Sequence, residues 1–468
     1  MSLENIILFL DKTGNSSVAN EVLDIFAKNA GSFEQFDEVA NCYFKIKNYE
    51  KAINNAEKAL VIASTPQQMY VIRHNLINLY NHNNQPEKAL RYIRANENVI
   101  DVDNDRDFEK AFSLFLSNRK SEASTLLRQK LGDTSLNDEQ RIKLEFNLGT
   151  YDLIEGNFKK GMNRFLVSGE EMGVHSIKTF MTQIDDSYGL KKWYGESIKK
   201  LLVIAEAGIG DEVINVRFMK HLKDKHIEAY WLGLKNRKDL IELFKLNGIN
   251  AISSIKELPV DFLKDAYYIP SMQLPIALDL DESQLWDGPY LHIENVSDVY
   301  KAKWKNYFDM KPHKLNVGIR WQGNPEYDQD LHRSIPLENI IKVLPAEINC
   351  CSLQRDTGLD QLAEFSFLDE IDDLSNRLDT FFDLVECISH LDVIVTSCTS
   401  IAHFAGAMGK HVCVVVPISC YYVWCQPGNK SNWYGDNVKI FYQQKPRSWD
   451  EPLNELQQHL LELQKHYE

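Results

Sequence analysis

Apolar residues alternate with polar ones in two different rhythms along this chain. Up to about residue 185 they recur every three or four positions, the spacing of amphipathic helices. Beyond residue 195 short unbroken apolar runs alternate with helical segments. LLVIAE (201–206), IEAYWLG (227–233), LNVGIRW (315–321), INCCSL (348–353), DVIVT (392–396) and HVCVVVP (411–417) read as buried strands, with weaker ones at 266–269 and 438–442. Between them, 211–224, 239–248, 336–344, 380–391 and 400–409 carry helical spacing. Alternation of this kind predicts parallel sheets with helices on both faces. The last stretch places Leu453, Leu456, Leu460 and Leu463 on one face of an amphipathic helix.

The helical part repeats itself. ANCYFKIKNYEKAINNAEKA (40–59) sets Ala52 after the aromatics Tyr43 and Tyr49. Later copies place Ala89, Ala123 and Gly161 at the matching point. Small residues there let two antiparallel helices approach closely, and the spacing stays near the ~34-residue tetratricopeptide period.

The expected fold is therefore α plus α/β: a tetratricopeptide-like array over 1–190, a Rossmann-like half over 195–312, and a second over 313–468 with the C-terminal helix. Tandem halves of this type hold a ligand crevice at the carboxyl ends of their strands.

Composition narrows the functional classes. A formal net charge of −15 argues against broad nucleic-acid binding. No segment approaches the ~20 apolar residues of a membrane span, and the N-terminus lacks a basic signal region. A cytoplasmic protein is expected, with any membrane contact peripheral to the inner face. The 8 cysteines form no CxxC pair and no zinc-spaced quartet, so reduced, buried thiols are expected and no metal.

Candidate chemistry gathers at the strand ends. Gly208-Ile209-Gly210-Asp211 follows the first strand and opens a helix, where backbone N–H groups favour anions. The third glycine of the dinucleotide fingerprint is Val213, which argues against a nicotinamide oxidoreductase. Thr399, Ser400 and His403 open the helix after DVIVT, Arg333 and Ser334 precede Ile335-Pro336, and Gln354 and Arg355 follow INCCSL. Ser271 and Gln273 follow the strand at 266–269, and the aromatic, glycine-broken stretch 420–436 reads as a functional loop.

AEAGIGDEV (205–213), SMQLPIAL (271–278), VGIRWQGNPEYDQDLHRSIPL (317–337), SLQRD (352–356) and HLDVIVTSCTSIAHFAGAMGKHV (390–412) occur in this order. Together they resemble the tetratricopeptide-repeat proteins whose C-terminal half is similar to the ADP-heptose:lipopolysaccharide heptosyltransferases. The resemblance covers roughly 195–445. It implies a GT-B fold and inverting, metal-independent transfer of a sugar from a nucleoside-diphosphate sugar, with no other cofactor. By resemblance Asp211 is the general base, with Glu206 in reserve. Arg333, Ser334, Thr399, Ser400, His403, Gln354 and Arg355 fall on the donor side; Gly208, Gly210, Ser271 and Gln273 fall on the phosphate or acceptor loops. The acceptor would be a glycan, a lipid-linked glycan or a protein, and the repeats would bind a protein partner or self-associate. The family motif usually carries an aspartate where this chain has Cys398. That departure motivates the alternative of a non-catalytic scaffold that binds a nucleotide or a partner.

Overall fold

The computed structural model describes residues 2–96, 105–173, 189–327, 329–365 and 371–465. The chain divides into two compact units: residues 1–135 with 445–447, and residues 136–444 with 448–468.

The first unit is built of helical hairpins: α1 (Leu3–Lys12) with α2 (Ser16–Asn29), α3 (Phe33–Lys45) with α4 (Tyr49–Ile62), α5 (Pro66–His82) with α6 (Pro86–Ala95), and α7 (Asp105–Leu116) with α8 (Lys120–Leu131). A further hairpin, α9 (Asp138–Ile154) with α10 (Phe158–Glu171), belongs to the second unit. The repeat anchors land alike. Ala52, Ala89, Ala123 and Gly161 are each the fourth residue of the second helix of a hairpin, and each is buried. Five positions earlier the chain turns through a left-handed residue every time: Lys47, Asn84, Asn118 and Gly156. The first hairpin follows the same rule with Ala19 and Gly14, a copy the sequence pattern did not reveal. In α9–α10 the approach is close: a Cβ on Gly149 would stand 2.6 Å from the Phe165 amide nitrogen and 2.9 Å from the Gly161 carbonyl oxygen.

The second unit carries two sheets. The first joins β1 (Lys191–Lys192), β2 (Lys200–Ile204), β3 (Glu228–Leu232), β4 (Ala251–Ile252) and β5 (Tyr267–Pro270) in the order β1-β5-β2-β3-β4, all parallel. The other joins β6 (Asn316–Arg320), β7 (Asn349–Ser352), β8 (Ile371–Asp373), β9 (Val393–Ser397), β10 (His411–Val416), β11 (Lys430–Ser431) and β12 (Gly435–Tyr442) in the order β11-β12-β10-β9-β6-β7-β8. Only β11 runs antiparallel. The strand order reverses between β6 and β9, the switch point where such sheets open a crevice. Two Rossmann-like halves joined in this way form a GT-B fold.

Strands β2, β3, β5, β6, β7, β9, β10 and β12 match apolar runs read from sequence, whereas β1, β4, β8 and β11 were not read there. The segment 211–224, expected as one helix, is two: α11 (Ile209–Val216) and α12 (Met219–Asp224). The break falls at Arg217, whose Nε turns back to the Ile214 carbonyl at 2.8 Å. Helices α13 (Lys238–Leu246), α14 (Asp298–Asp309), α15 (Phe381–Ser389) and α16 (Ser400–Ala407) cover the sheets. The C-terminal helix α17 (Asp450–Gln464) buries Leu453, Leu456 and Leu460 against Val317, Val393, Val395 and Val415 of the second sheet. Among the described residues no helix is long and apolar enough to cross a membrane. All eight cysteines are buried.

Candidate functional site

The amino ends of α11 and α16, one from each half, meet at a single cleft of about 590 Å³. Glycine makes the meeting possible. A Cβ on Gly210 would lie 2.7 Å from Cδ2 of His403 and 3.6 Å from Cα of Ser400. On the way into α11 the chain passes Ala207 at φ +61°, an uncommon conformation for a residue with a Cβ, held at the rim of the cleft.

Asp211 lines this cleft. Its Oδ2 accepts the Gly208 N–H at 2.9 Å, which closes the first turn of α11. Its Oδ1 accepts the hydroxyl of Tyr421 at 2.6 Å, from the loop after β10. Burial raises the carboxyl above the usual aspartate range, opposed by the Tyr421 and Gly208 hydrogen bonds. Each carboxylate oxygen offers two lone pairs, so both keep room to accept a further hydroxyl. The cap role and a role as base therefore coexist in one side chain.

The opposite wall is cationic. Arg333 donates to Asp330 at 2.9 Å and to the Cys398 carbonyl at 3.0 Å, with its guanidinium over the Tyr327 ring at 4.6 Å. Arg320 and Arg355 lie beside it, and Arg237 enters from the other half. Burial pushes Arg320 down to about 10, with Arg333 and Arg355 adding like-charge repulsion. Several guanidiniums around one cavity suit an anion with several oxygens. Arg237 also pairs with the buried Glu212, which in turn accepts from Trp231 at 3.3 Å.

Thr399 and Ser400 line the cleft at the start of α16. The Thr399 hydroxyl bonds Thr396 at 2.9 Å and makes no cap to its own helix, so the N–H end of α16 faces the cavity without a side-chain lid. His403 is buried, stacked on Trp424 at 5.1 Å with an angle of 7°, and bonded through Nδ1 to the Tyr434 hydroxyl at 2.9 Å. Burial drives it down to about 3, so it stays neutral. Cys398, also at the cleft, accepts from Trp424 Nε1 at 3.1 Å, and burial lifts its thiol to about 11. An uncharged thiol stands there.

The cleft thus gathers Asp211, Gly208, Gly210, Arg333, Arg355, Thr399, Ser400 and His403. Four other sequence-expected residues point elsewhere. Gln354 is fully buried; it accepts from the Trp321 and Gln322 amides and donates to the Gln322 and Thr357 carbonyls, tying two loops together. Ser334 bonds Asp330 at 3.1 Å. Gln273 donates to Glu170 on α10 at 2.6 Å, and Ser271 is buried behind the loop. Glu206 also lies off the cleft, accepting the Met272 N–H at 3.1 Å. Residues not singled out from sequence join the site: Tyr421, Ser419 and Arg237. Arg237 follows β3, next to β2 in the sheet, and the strand-end rule would have found it. The loop around Tyr421 was flagged, but its pairing with a residue 210 positions away leaves no trace in local pattern.

No family model and no curated protein matches the chain. Solved structures similar to it include E. coli ADP-heptose lipopolysaccharide heptosyltransferase II, at 15% identity and TM-score 0.37 over 56% of this chain and 99% of that one. A family 9 glycosyl transferase from Veillonella parvula aligns at 9% identity and TM-score 0.39 over 58% and 98%. The O-GlcNAc transferase of Thermobaculum terrenum aligns at 11% identity and TM-score 0.30 over 99% and 92%. At these TM-scores the GT-B assignment rests on the strand order of the two sheets.

Proposed function

We propose that this chain is an inverting glycosyltransferase that uses a nucleoside-diphosphate sugar and needs no metal. One observation carries the reading: a buried carboxylate from the first half and a cluster of guanidiniums with an uncapped helix start from the second face each other across one cleft. The diphosphate would sit against Arg333, Arg355 and the start of α16, which stabilise the charge that grows on the leaving group. Asp211 would take the proton from the acceptor hydroxyl as that oxygen attacks the sugar carbon from the opposite face. Burial that raises its carboxyl brings it nearer the working pH of a general base, and general base catalysis is worth ~10²–10⁴ in rate.

The competing reading is a scaffold that binds a nucleotide and turns nothing over. Cys398 supports it, because a neutral thiol replaces the acid that the resembled family carries.

Release of nucleoside diphosphate from a panel of nucleotide sugars, with chelator present, separates the two. The transferase reading expects slow hydrolysis of one donor, lost in Asp211→Asn while donor binding persists. Donor binding with no release, with candidate acceptors supplied, would establish the scaffold instead.

A further inference from the structure

Outside the cleft, on the opposite face of the second sheet, three metal-ligating side chains converge. His411 and Cys413 are two residues apart on β10 and so share one face of the strand. That face carries Cys413 and Val415 into the core under α17. From α17, His459 reaches down beside Leu456 and Leu460. The Nε2 atoms of His411 and His459 are 2.8 Å apart, and with Cys413 Sγ the three donor atoms all lie within 4.8 Å of one another. Strand and helix are 40-odd residues apart in the chain, so the cluster is made by the fold. We propose that His411, Cys413 and His459 form a binding site for a divalent cation of the zinc class, which fastens α17 to the second sheet.

The donor set is one that zinc prefers: two imidazoles and a thiolate, with water completing a tetrahedron. Without metal the cluster is satisfied in another way. Lys439, paired with Cys413 in the β10–β12 register, places Nζ 3.3 Å from His459 Nδ1. Accepting from that ammonium puts the ring proton of His459 on Nε2, from which it donates to His411. Cation binding displaces this arrangement. The His459 proton moves to Nδ1, on the side of the Glu462 carboxylate 3.9 Å away. The Cys413 thiol gives up its proton to solvent, and a sulfur–metal bond forms. One proton is released per cation, and no oxidant or reductant is involved.

Cobalt(II) is the probe, because it reports its ligands by colour. Titrating the metal-stripped full chain is expected to saturate at one cobalt per chain, with a thiolate-to-cobalt charge-transfer band, and zinc is expected to bleach it. The unfolding midpoint should rise by several degrees with zinc in wild type but not in Cys413→Ser. In His459→Gln, cobalt affinity should fall at least tenfold. Absence of stoichiometric binding overturns the proposal, as does a cobalt complex with no sulfur band or with a band that survives Cys413→Ser. The three side chains are then a hydrogen-bonded packing contact only. If Cys413→Ser fails to fold, the wild-type band and the His459→Gln affinity decide. Donor hydrolysis plays no part in these readouts, so failure of the glycosyltransferase reading leaves them unaffected.

Discussion

The phenol of Tyr421 donates to Oδ1 of Asp211 at 2.6 Å, linking the loop after β10 to the first turn of α11. The two residues belong to different halves of the GT-B fold, so the bond spans the cleft in which the chemistry is proposed. It also opposes the effect of burial: desolvation raises the Asp211 carboxyl, and the tyrosine favours its charged form.

Removing that donor separates the two effects. In Tyr421→Phe the carboxylate loses a hydrogen bond to a charged group, an interaction worth ~1.5–3 kcal/mol. A base works only when deprotonated, so the acid limb of kcat/KM should move to higher pH. On the acid side of that limb activity should fall about tenfold. A pH–rate profile of donor hydrolysis checks this. An unmoved limb would show that Asp211 is not the group whose ionisation limits the rate.

Much of this fold is legible in the sequence because its signals are local. Ala52, Ala89, Ala123 and Gly161 mark their hairpins because a small residue is required where two helices touch. Ala19 escaped notice because its hairpin has Leu10 where the two plainest copies have Tyr43 and Tyr80. The long strands announce themselves as apolar runs, whereas β1, β4 and β11, two residues each, are too short to carry a pattern. In the site, chain punctuation exposed Asp211 and Thr399, which sit at strand-to-helix turns. Gln354 occupies the same kind of place, yet its amide is spent on four backbone partners, and nothing local distinguishes it from Arg355 beside it.

Gly210 is where the halves come closest. In Gly210→Ala the new methyl meets the His403 ring, which cannot retreat because it is stacked on Trp424 and bonded to Tyr434. Overpacking of this kind costs about 1–3 kcal/mol. The expected outcome is a lower unfolding midpoint together with donor binding weakened at least tenfold, read by calorimetric titration. Unchanged donor affinity would place the donor away from the α11–α16 junction.

Arg333 is held by Asp330, the Cys398 carbonyl and the Tyr327 ring, so its fork is preset before any ligand arrives. Arg333→Lys keeps the charge but loses the planar fork. Affinity for a nucleoside diphosphate should fall by about tenfold, roughly the ~1.4 kcal/mol of one directed contact. Equal affinity in wild type and variant would mean that Arg333 serves the loop rather than the ligand.

Gly149 lies at a tight helix contact between α9 and α10, and there the obstacle is backbone. Its Cβ would meet the Phe165 nitrogen and the Gly161 carbonyl, neither of which can turn aside as a side chain would. Gly31 has the same chemistry with open space around it and no left-handed φ. Gly149→Ala should therefore destabilise the second unit by at least ~1–3 kcal/mol, while Gly31→Ala should leave the midpoint within about 0.5 kcal/mol of wild type. Parallel denaturant melts compare the two, and equal losses would contradict the close approach of α9 and α10.

Glu206 makes stability depend on pH in a direction opposite to that of a salt-bridged carboxylate. Burial raises it to about 8, with Asp211 and Glu170 adding repulsion and the Met272 N–H opposing. Its folded-state value thus lies above the usual ~4.3 of an exposed glutamate. Between those two values the folded chain holds a proton that the unfolded chain has released. Stability contributed by the neutral form is complete below about pH 4 and is lost as pH rises toward 8, a loss of a few kcal/mol. Glu206→Gln removes the titration while its amide oxygen can still accept from Met272. Wild type and variant should therefore melt together near pH 5 and part company near pH 8.5, with the variant more stable. Parallel curves across that range would mean that Glu206 ionises in the folded protein much as it does in water.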